Sequence, residues 1–270
     1  MKLVGSSAAD RFAGTVTAES SRSWCASVLG RTTERLENRL IRELLGDLEG
    51  RLFLDVGCGA GALLVAAAAQ GAHATGVDPS RAMVAAARER ARSSGVTVSV
   101  ILGSGERLPF PDGSFDRVTA ITVLCFVPDP GTLVREMARV IAPGGRLVIG
   151  ELGRWSLWAA RRRIRGWLGD AFWRAARFRT APELCALLEK AGLVVKRVRG
   201  AIYYPPWGWA AWLLSPLDPK LGELTRFGAA FLAVAADRQQ ADPRTGEGAR
   251  SLPEAFSIAD GGKRAEEWSA

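Results

Sequence analysis

A short apolar run that ends in glycines constrains the fold of this chain most strongly. Leu52–Val56 leads into the segment Gly57-Cys-Gly-Ala-Gly61, and an alanine- and leucine-rich helix is predicted over 62–70. Glycines let the backbone turn sharply and approach a ligand closely, and a helix N-terminus adds free N–H groups. Asp78 ends the next predicted strand, 19 residues after Gly59, where a carboxylate can accept hydrogen bonds from ribose hydroxyls. This order predicts an α/β domain that binds a nucleoside-containing cofactor.

Predicted strands and helices continue to alternate after this unit. Helices of ten to fifteen residues between short apolar strands are typical of βαβ units and a parallel sheet. The helices are predicted at 33–48, 62–70, 80–94, 129–140 and 182–191, with Ser80 as an N-cap. The strands are predicted at 52–56, 72–77, 96–102, 115–121, 146–150, 193–203 and 228–236.

The glycine spacing leaves two cofactor classes open, and Asp55 favours one of them. Gly57-x-Gly59-x-x-Ala62 formally satisfies the dinucleotide pattern G-x-G-x-x-G/A. An acidic side chain just before the loop would repel a pyrophosphate, but it suits a ligand with a cationic ammonium or sulfonium group. S-adenosyl-L-methionine carries both cations and a ribose for Asp78.

Five segments resemble the motifs of the class I S-adenosylmethionine-dependent methyltransferases, and most closely their type-11 methyltransferase domain. They are Leu54-Asp-Val-Gly-Cys-Gly-Ala-Gly61 and the segments at 76–80, 103–116, 127–130 and 139–146. The resemblance covers about residues 50–150. It implies a three-layer, Rossmann-like, seven-stranded sheet of order 3-2-1-4-5-7-6 with its last strand antiparallel and helical insertions after strands 5 and 6.

The resemblance also implies roles for individual residues. The loop glycines would cradle the methionine part of the cofactor, with Asp55 near its amino group, while Asp78 would hold the ribose and Met83 would pack on the adenine. Ser104 stands where such proteins usually have an aspartate. The implied cofactor-binding set is Asp55, Gly57, Cys58, Gly59, Gly61, Asp78, Pro79, Met83, Ser104, Gly105, Glu106, Thr122 and Leu124.

No general base stands out in the sequence. Glu151, just past the fifth predicted strand, is a candidate base or a capping residue, and Tyr203 and Tyr204 are candidates for substrate contact. Arg31 could reach the cofactor carboxylate. A strongly activated methyl donor can be served by positioning and exclusion of water alone.

Histidine and cysteine usage argues against a metal site. The one histidine, His73, lies inside a predicted strand, and the four cysteines are far apart with no C-x-x-C pair. We therefore expect no metal, packing roles for Cys58 and Cys125, and a reducing compartment.

The region after strand 5 is basic and rich in tryptophan. Eight arginines and one acid, Asp170, lie between Arg154 and Arg179. In the predicted helix 155–168 the apolar side chains Leu157, Ala160, Ile164, Trp167 and Leu168 fall on one face, with the arginines largely elsewhere. This helix could pack as a cap on the domain, close over a lipophilic or anionic acceptor, or touch anionic lipid. Nucleic acid is a less favoured partner.

The sequence predicts a helical arm at 1–49, a methyltransferase domain at 50–236 and an unstructured tail at 237–270. The domain would have a core at 50–151 and cap insertions at about 152–180 and 204–226. No secretory or membrane-spanning segment is predicted, so we expect a cytoplasmic protein, with a peripheral position at the membrane as the alternative. The predicted function is methyl transfer to a small or lipophilic acceptor; the alternative is a non-catalytic binding module with a basic, tryptophan-rich surface.

Overall fold

The computed structural model describes residues 27–240 and contains one mixed sheet with helices on both faces. The strands are β1 (Leu52–Val56), β2 (His73–Asp78), β3 (Ser99–Leu102), β4 (Phe115–Ile121), β5 (Ile141–Leu152), β6 (Val194–Ala201) and β7 (Phe231–Asp237). The helices are α1 (Val28–Leu45), α2 (Ala62–Ala68), α3 (Arg81–Ser93), α4 (Pro130–Val140), α5 (Leu157–Trp167), α6 (Ala171–Ala175), α7 (Ala181–Lys190), α8 (Gly208–Leu214) and α9 (Asp218–Leu224).

The strand order is β3-β2-β1-β4-β5-β7-β6, so the predicted topology is confirmed. The first five strands in the order pair in parallel, and β7 runs antiparallel to both of its neighbours. Parallel strands end at the same edge, so the loops that follow β1, β2, β4 and β5 lie together there.

Alternate residues of the strands feed two separate hydrophobic layers. Phe53 packs in the layer that includes Leu64 of α2 and Val84 of α3, whereas its neighbour Leu54 packs in the layer that includes Met137 of α4. Both faces of the sheet are therefore covered, as parallel sheets require. The three-layer arrangement is confirmed.

Side-chain caps start the helices that border the site. Ser80 accepts from the amide of Met83 at the start of α3, as predicted, and Asp129 accepts from the amides of Gly131 and Thr132 at α4. Helix α1 begins at Val28, earlier than the predicted 33, because Ser27 accepts from the amide of Gly30. Such caps replace main-chain partners that the first helical turn lacks.

Two strand boundaries near the site differ from the prediction. Strand β6 ends at Ala201 rather than 203, because Ile202 turns into the left-handed region (φ 64°) and Asp218 accepts from the amides of Ile202 and Tyr203. Strand β7 includes Asp237, which the prediction assigned to an unstructured tail, and its side chain pairs with Arg146 at 2.7 Å. The arm residues 1–26 and the tail residues 241–270 lie outside the described residues.

The cap helix α5 is amphipathic, but its predicted apolar stripe faces solvent rather than the protein. Leu157, Ile164, Trp167 and Leu168 are exposed, the last two at 81% and 82%. The face that packs on the protein contains the buried Trp158 and Ala159, and several arginines add contacts of their own. Arg161 donates to the carbonyl of Pro206 at 3.0 Å, Arg162 stacks on Trp158 and Trp173, and Arg163 stacks on Phe178. Among residues 27–240, no helix has both the length and the apolar character needed to cross a bilayer.

Candidate functional site

The glycines of the loop after β1 have positive φ angles, a backbone conformation that is strained for other residues. Gly57, Gly59 and Gly61 all have φ between 52° and 75°. A Cβ on Gly57 would lie 2.5 Å from a methyl of Val123, and one on Gly61 would lie 2.9 Å from the Cβ of Ala87, so these two glycines are packed against protein. A Cβ on Gly59 would meet nothing within 4 Å. Gly59 therefore borders open space, as a ligand cradle requires.

Asp78 joins the glycine loop to the end of β2. One of its carboxylate oxygens accepts from the amide of Gly59 and the other from the amide of Ser80, both at 2.9 Å. Each oxygen keeps a further lone pair for a ligand hydroxyl. Burial raises the pKa of this carboxyl, while the two amides oppose the rise.

Asp55 lies beneath the loop, at the end of β1. Its carboxylate is buried and accepts from the hydroxyl of Thr119 on β4 at 2.7 Å. Burial raises its pKa to about 7, Thr119 opposes the rise, and Asp78 adds to it by charge repulsion. A cationic group bound near Asp55 would favour its ionised form.

The segments expected on the adenine side follow β2 and β3. Met83 is half-buried in the first turn of α3, while Pro79 and Ser104 are exposed. The Ser104 hydroxyl accepts from the amide of Glu106 at 3.2 Å. A Cβ on Gly105 would lie 2.5 Å from Leu133 and 2.6 Å from Val56, so glycine is required there by packing.

The loop after β4 is held by Glu151. Its two carboxylate oxygens accept from the amides of Leu124 at 2.6 Å and Cys125 at 3.1 Å. Thr122, two residues before Leu124, has φ 58°, a backbone conformation that is costly for a branched side chain. Glu151 lies within β5 rather than past it, and its side chain is fully buried. Burial raises its pKa to about 7, and the positive charge of Arg179 is the largest effect that opposes this rise. Because its side chain is fully buried and anchors two main-chain amides, the structure favours a positioning role.

The two tyrosines after β6 are engaged within the protein. The Tyr204 side chain is buried and its hydroxyl shares a 3.0 Å hydrogen bond with Thr33 of α1, while its carbonyl accepts from the Trp158 indole. The Tyr203 hydroxyl donates to the carbonyl of Thr225. Both hydroxyls therefore help to hold the cap, and neither is left free for a substrate without a change of partner.

The remaining candidates have no direct place in the glycine-loop cradle. His73 begins β2 at the edge opposite to Asp78. Cys58 and Cys125 are buried, and burial raises the pKa of both thiols. Arg31 is exposed near the start of α1. In the part of the chain that the structure describes, no cluster of His, Cys, Asp or Glu is arranged to hold a metal ion.

Sequence reasoning missed the ring contacts of Arg162 and the effect of its charge on Glu37. Arg162 lies 5.1 Å from the centre of the Trp158 ring and 4.7 Å from that of Trp173, and its charge acts on Glu37 of α1. The contact between Arg162 and Trp158 could have been predicted, because residues four apart on a helix are neighbours on its surface. The effect on Glu37 could not be found from sequence, because Arg162 lies far from it along the chain.

These residues fit S-adenosylmethionine. The open cradle at Gly59 leaves room for a ligand beside the backbone, Asp78 offers acceptors suited to a ribose, and Asp55 offers a negative charge suited to an ammonium group. The thirteen predicted cofactor residues lie at the carboxyl ends of β1 and β2, in the segments that follow β1 to β4, and in the first turn of α3. Their individual contacts with the cofactor remain predictions.

Comparison with known proteins gives the family. A family model described as a methyltransferase domain matches residues 54–149. An uncharacterized protein of Mycobacterium tuberculosis is 34% identical over 244 residues, covering 90% of this chain and 78% of the relative. A ubiquinone biosynthesis O-methyltransferase of Aeromonas salmonicida is 32% identical over 172 residues, covering 61% of this chain and 72% of that protein. A solved structure from Thermotoga maritima, described as a possible histamine N-methyltransferase, superposes with a TM-score of 0.66 at 23% identity, covering 86% of this chain and all of its own.

Replacing Asp78 by Ala should weaken cofactor binding by about 1.5–3 kcal/mol, because hydrogen bonds that involve a charged group contribute that much. Calorimetry with S-adenosylhomocysteine measures the change. Asp129→Ala is the matched control, since it removes another carboxylate that accepts two main-chain amides. Unchanged affinity of Asp78→Ala, with unchanged melting temperature, would remove the ribose assignment.

Replacing Gly59 by Val should abolish cofactor binding, because a branched side chain would enter the open space beside the loop. Gly95→Val is a close control: Gly95 has φ 67°, and a Cβ there would also meet nothing within 4 Å. Both variants carry similar backbone strain, so a comparable loss of melting temperature is expected. If Gly59→Val binds S-adenosylhomocysteine like Gly95→Val, the loop is only a turn.

Proposed function

The chain belongs to the class I S-adenosylmethionine-dependent methyltransferases, and on this premise we propose that it transfers a methyl group by direct displacement to a small, lipophilic acceptor. It is an enzyme whose cofactor, S-adenosyl-L-methionine, supplies a methyl group activated by the positive charge on sulfur. Within this proposal, the chain's own residues bind, orient and exclude water.

The single observation that supports this function best is the convergence of the loops at one sheet edge. The glycine loop and Asp55 would hold the methionine part of the cofactor, and Asp78 would hold its ribose. The main-chain bonds of Glu151 fix the loop that contains Thr122 and Leu124, which we assign to the sulfonium side. Fixed surroundings lower the entropy cost of bringing acceptor and methyl group together.

Aromatic side chains of the cap favour a lipophilic acceptor. Phe126, which follows the Glu151-bound loop, packs 4.6 Å from Phe172, and Phe172 packs edge-on against Trp173 at 4.8 Å. Such walls suit an apolar or ring-bearing molecule and keep water away from the methyl group. The relative named as a ubiquinone biosynthesis O-methyltransferase supports an acceptor of this kind.

Methyl transfer to lipophilic acceptors is tested with a panel that shares one apolar tail. The panel comprises 4-nonylcatechol, 4-nonylaniline, decanethiol and decanoic acid, each incubated with cofactor labelled on its methyl group. We expect at least one member to be labelled, and tail-free catechol or aniline to be labelled at least about tenfold less, because each buried CH₂ contributes about 0.8 kcal/mol. Binding of S-adenosylhomocysteine without transfer to any member would favour the non-catalytic alternative.

We also propose that the cap contacts an anionic lipid surface, and that its apolar side chains, rather than Arg161–Arg163, make the contact. Trp209 and Trp212 of α8 are 67% and 75% exposed, and Leu213 of α8 and Leu217 in the turn that follows it are exposed as well. Ala210 and Ala211 point inward instead.

The exposed faces of α5 and α8 belong to neighbouring segments. Trp158 donates to the carbonyl of Tyr204, and Arg161 donates to that of Pro206, immediately before α8. Tryptophan and leucine next to a segment of strongly positive charge are the composition of interfacial membrane-binding surfaces. The positive charge selects anionic lipid over a neutral apolar partner.

The double variant Trp209→Gln with Trp212→Gln should reduce binding to vesicles of phosphatidylglycerol and phosphatidylcholine by about tenfold or more, because each indole would otherwise leave water. Co-sedimentation measures this, and Leu102→Gln, an exposed apolar position on β3, is the control. Wild-type binding should also fall as salt rises. The proposal would be contradicted if the wild-type protein bound no vesicles but self-associated, and if the double substitution abolished that self-association.

A further inference from the structure

Arg179 is a buried arginine at the sheet edge where the cofactor loops lie. It forms a bridge with Gly153, which directly follows β5, and its amide donates to the carbonyl of Leu152 at 3.2 Å. Its side chain is directed at the loop after β4, where Nη1 donates to the carbonyl of Leu124 at 2.8 Å. Only 8% of the residue is exposed. The guanidinium therefore lies directly beside the loop that we assign to the sulfonium side.

The other two nitrogens of this guanidinium, Nε and Nη2, have no partner within residues 27–240. In that part of the chain neither atom donates a hydrogen bond, and no carboxylate forms an ion pair with Arg179. Neither atom is sealed from solvent, since the buried side-chain nitrogen without a partner there is Nε of Arg199. Glu151 responds to the charge of Arg179, but it directs both carboxylate oxygens at main-chain amides. Because buried charges are normally paired, these free N–H groups indicate a place for an anion.

The segment that contains Arg179 is held against the same loop by its main chain. The amide of Arg177 donates to the carbonyl of Cys125 at 2.9 Å. Phe178, between the two arginines, is buried in an apolar cluster with Cys125 and Leu152. These contacts position the guanidinium without using Nε or Nη2, so a ligand anion would meet a group that is already in place.

We propose that Arg179 binds the carboxylate of a lipophilic acid and that this carboxylate is the methyl acceptor, so that the product is a methyl ester. This inference rests on the proposed function and names its substrate class. A guanidinium binds carboxylates in a defined geometry through its N–H groups, and one carboxylate oxygen keeps a lone pair for the methyl group. Phe126 and Trp173, half-buried at the border of the Phe178 cluster, offer apolar surface to the hydrocarbon part.

An ionised acceptor suits the groups around this loop. Glu151 has a positioning role, and the hydroxyls of Tyr203 and Tyr204 are engaged within the protein. A hydroxyl acceptor must lose a proton during the transfer, which calls for a base. A carboxylic acid has an ordinary pKa of about 4 and is already ionised at neutral pH. A carboxylate is therefore the acceptor that needs no proton transfer from these residues.

The step balances in atoms and charge. One carboxylate oxygen forms a bond to the methyl carbon as the carbon–sulfur bond breaks, and the electron pair of that bond stays on sulfur. The products are a neutral ester and a neutral sulfide, and no proton moves. One negative and one positive charge are lost together, which is favourable where water is excluded.

The first test compares decanoic acid with decanamide, an uncharged molecule of the same shape. With S-adenosylhomocysteine bound, calorimetry should show the acid binding at least about tenfold tighter, because hydrogen bonds between charged groups are the stronger ones. With labelled cofactor, methyl decanoate should form in preference to methylated catechol, aniline or thiol. Equal affinity for acid and amide, or preferential labelling of another panel member, would overturn this inference and leave the proposed function standing. Absence of transfer to every panel member would overturn the proposed function itself.

Variants of Arg179 locate the site. Arg179→Gln should raise KM for decanoic acid about tenfold or more, while Arg179→Lys, which keeps the charge, should restore most of the loss. Arg177→Gln removes an exposed arginine side chain two residues earlier and is the matched control, with KM unchanged. A normal KM in Arg179→Gln, or a loss of affinity for S-adenosylhomocysteine at an unchanged melting temperature, would place the acid elsewhere and contradict the assignment. If Arg179→Gln does not fold, the wild-type comparison of acid with amide decides alone.

Discussion

Buried carboxylates that accept main-chain amides hold the loops of this cleft in place. Asp78 binds the amides of Gly59 and Ser80, Glu151 those of Leu124 and Cys125, and Asp218 those of Ile202 and Tyr203. Each acid satisfies two donors that irregular backbone would otherwise leave unpaired in a buried place. The strained conformations of Thr122 and Ile202 occur in or beside two of these loops, where such anchoring can offset their cost.

The sheet and the glycine loop could be predicted from sequence because their signals are local. The apolar run of β1, the loop glycines and Asp78 lie within 27 residues of one another, and each pattern has few structural solutions. The strand order could not be deduced from periodicity alone; it came from the resemblance of ordered motifs, and the structure confirms it. The boundaries moved where side chains distant in sequence decide them, as Asp218 does for β6.

The cap shows where sequence patterns stop being informative. The stripe of Leu157, Ile164, Trp167 and Leu168 identifies an amphipathic helix, but periodicity does not say which face meets the protein. Long arginine side chains can pack along aromatic rings, and here Arg162 and Arg163 do so.

Burial of the cleft carboxylates in their ionised form costs free energy, and a bound cation can offset that cost. Burial raises the pKa of Asp55 and of Glu151 to about 7. A carboxyl whose folded pKa lies above its unfolded value favours the fold when protonated, so this contribution is present below the unfolded pKa and is lost as pH rises towards 7. A cationic cofactor near Asp55 would favour the ionised carboxylate, as Arg179 already does for Glu151. On the predicted contact with Asp55, an unfavourable charge distribution in the free protein would contribute to selectivity for a positively charged cofactor.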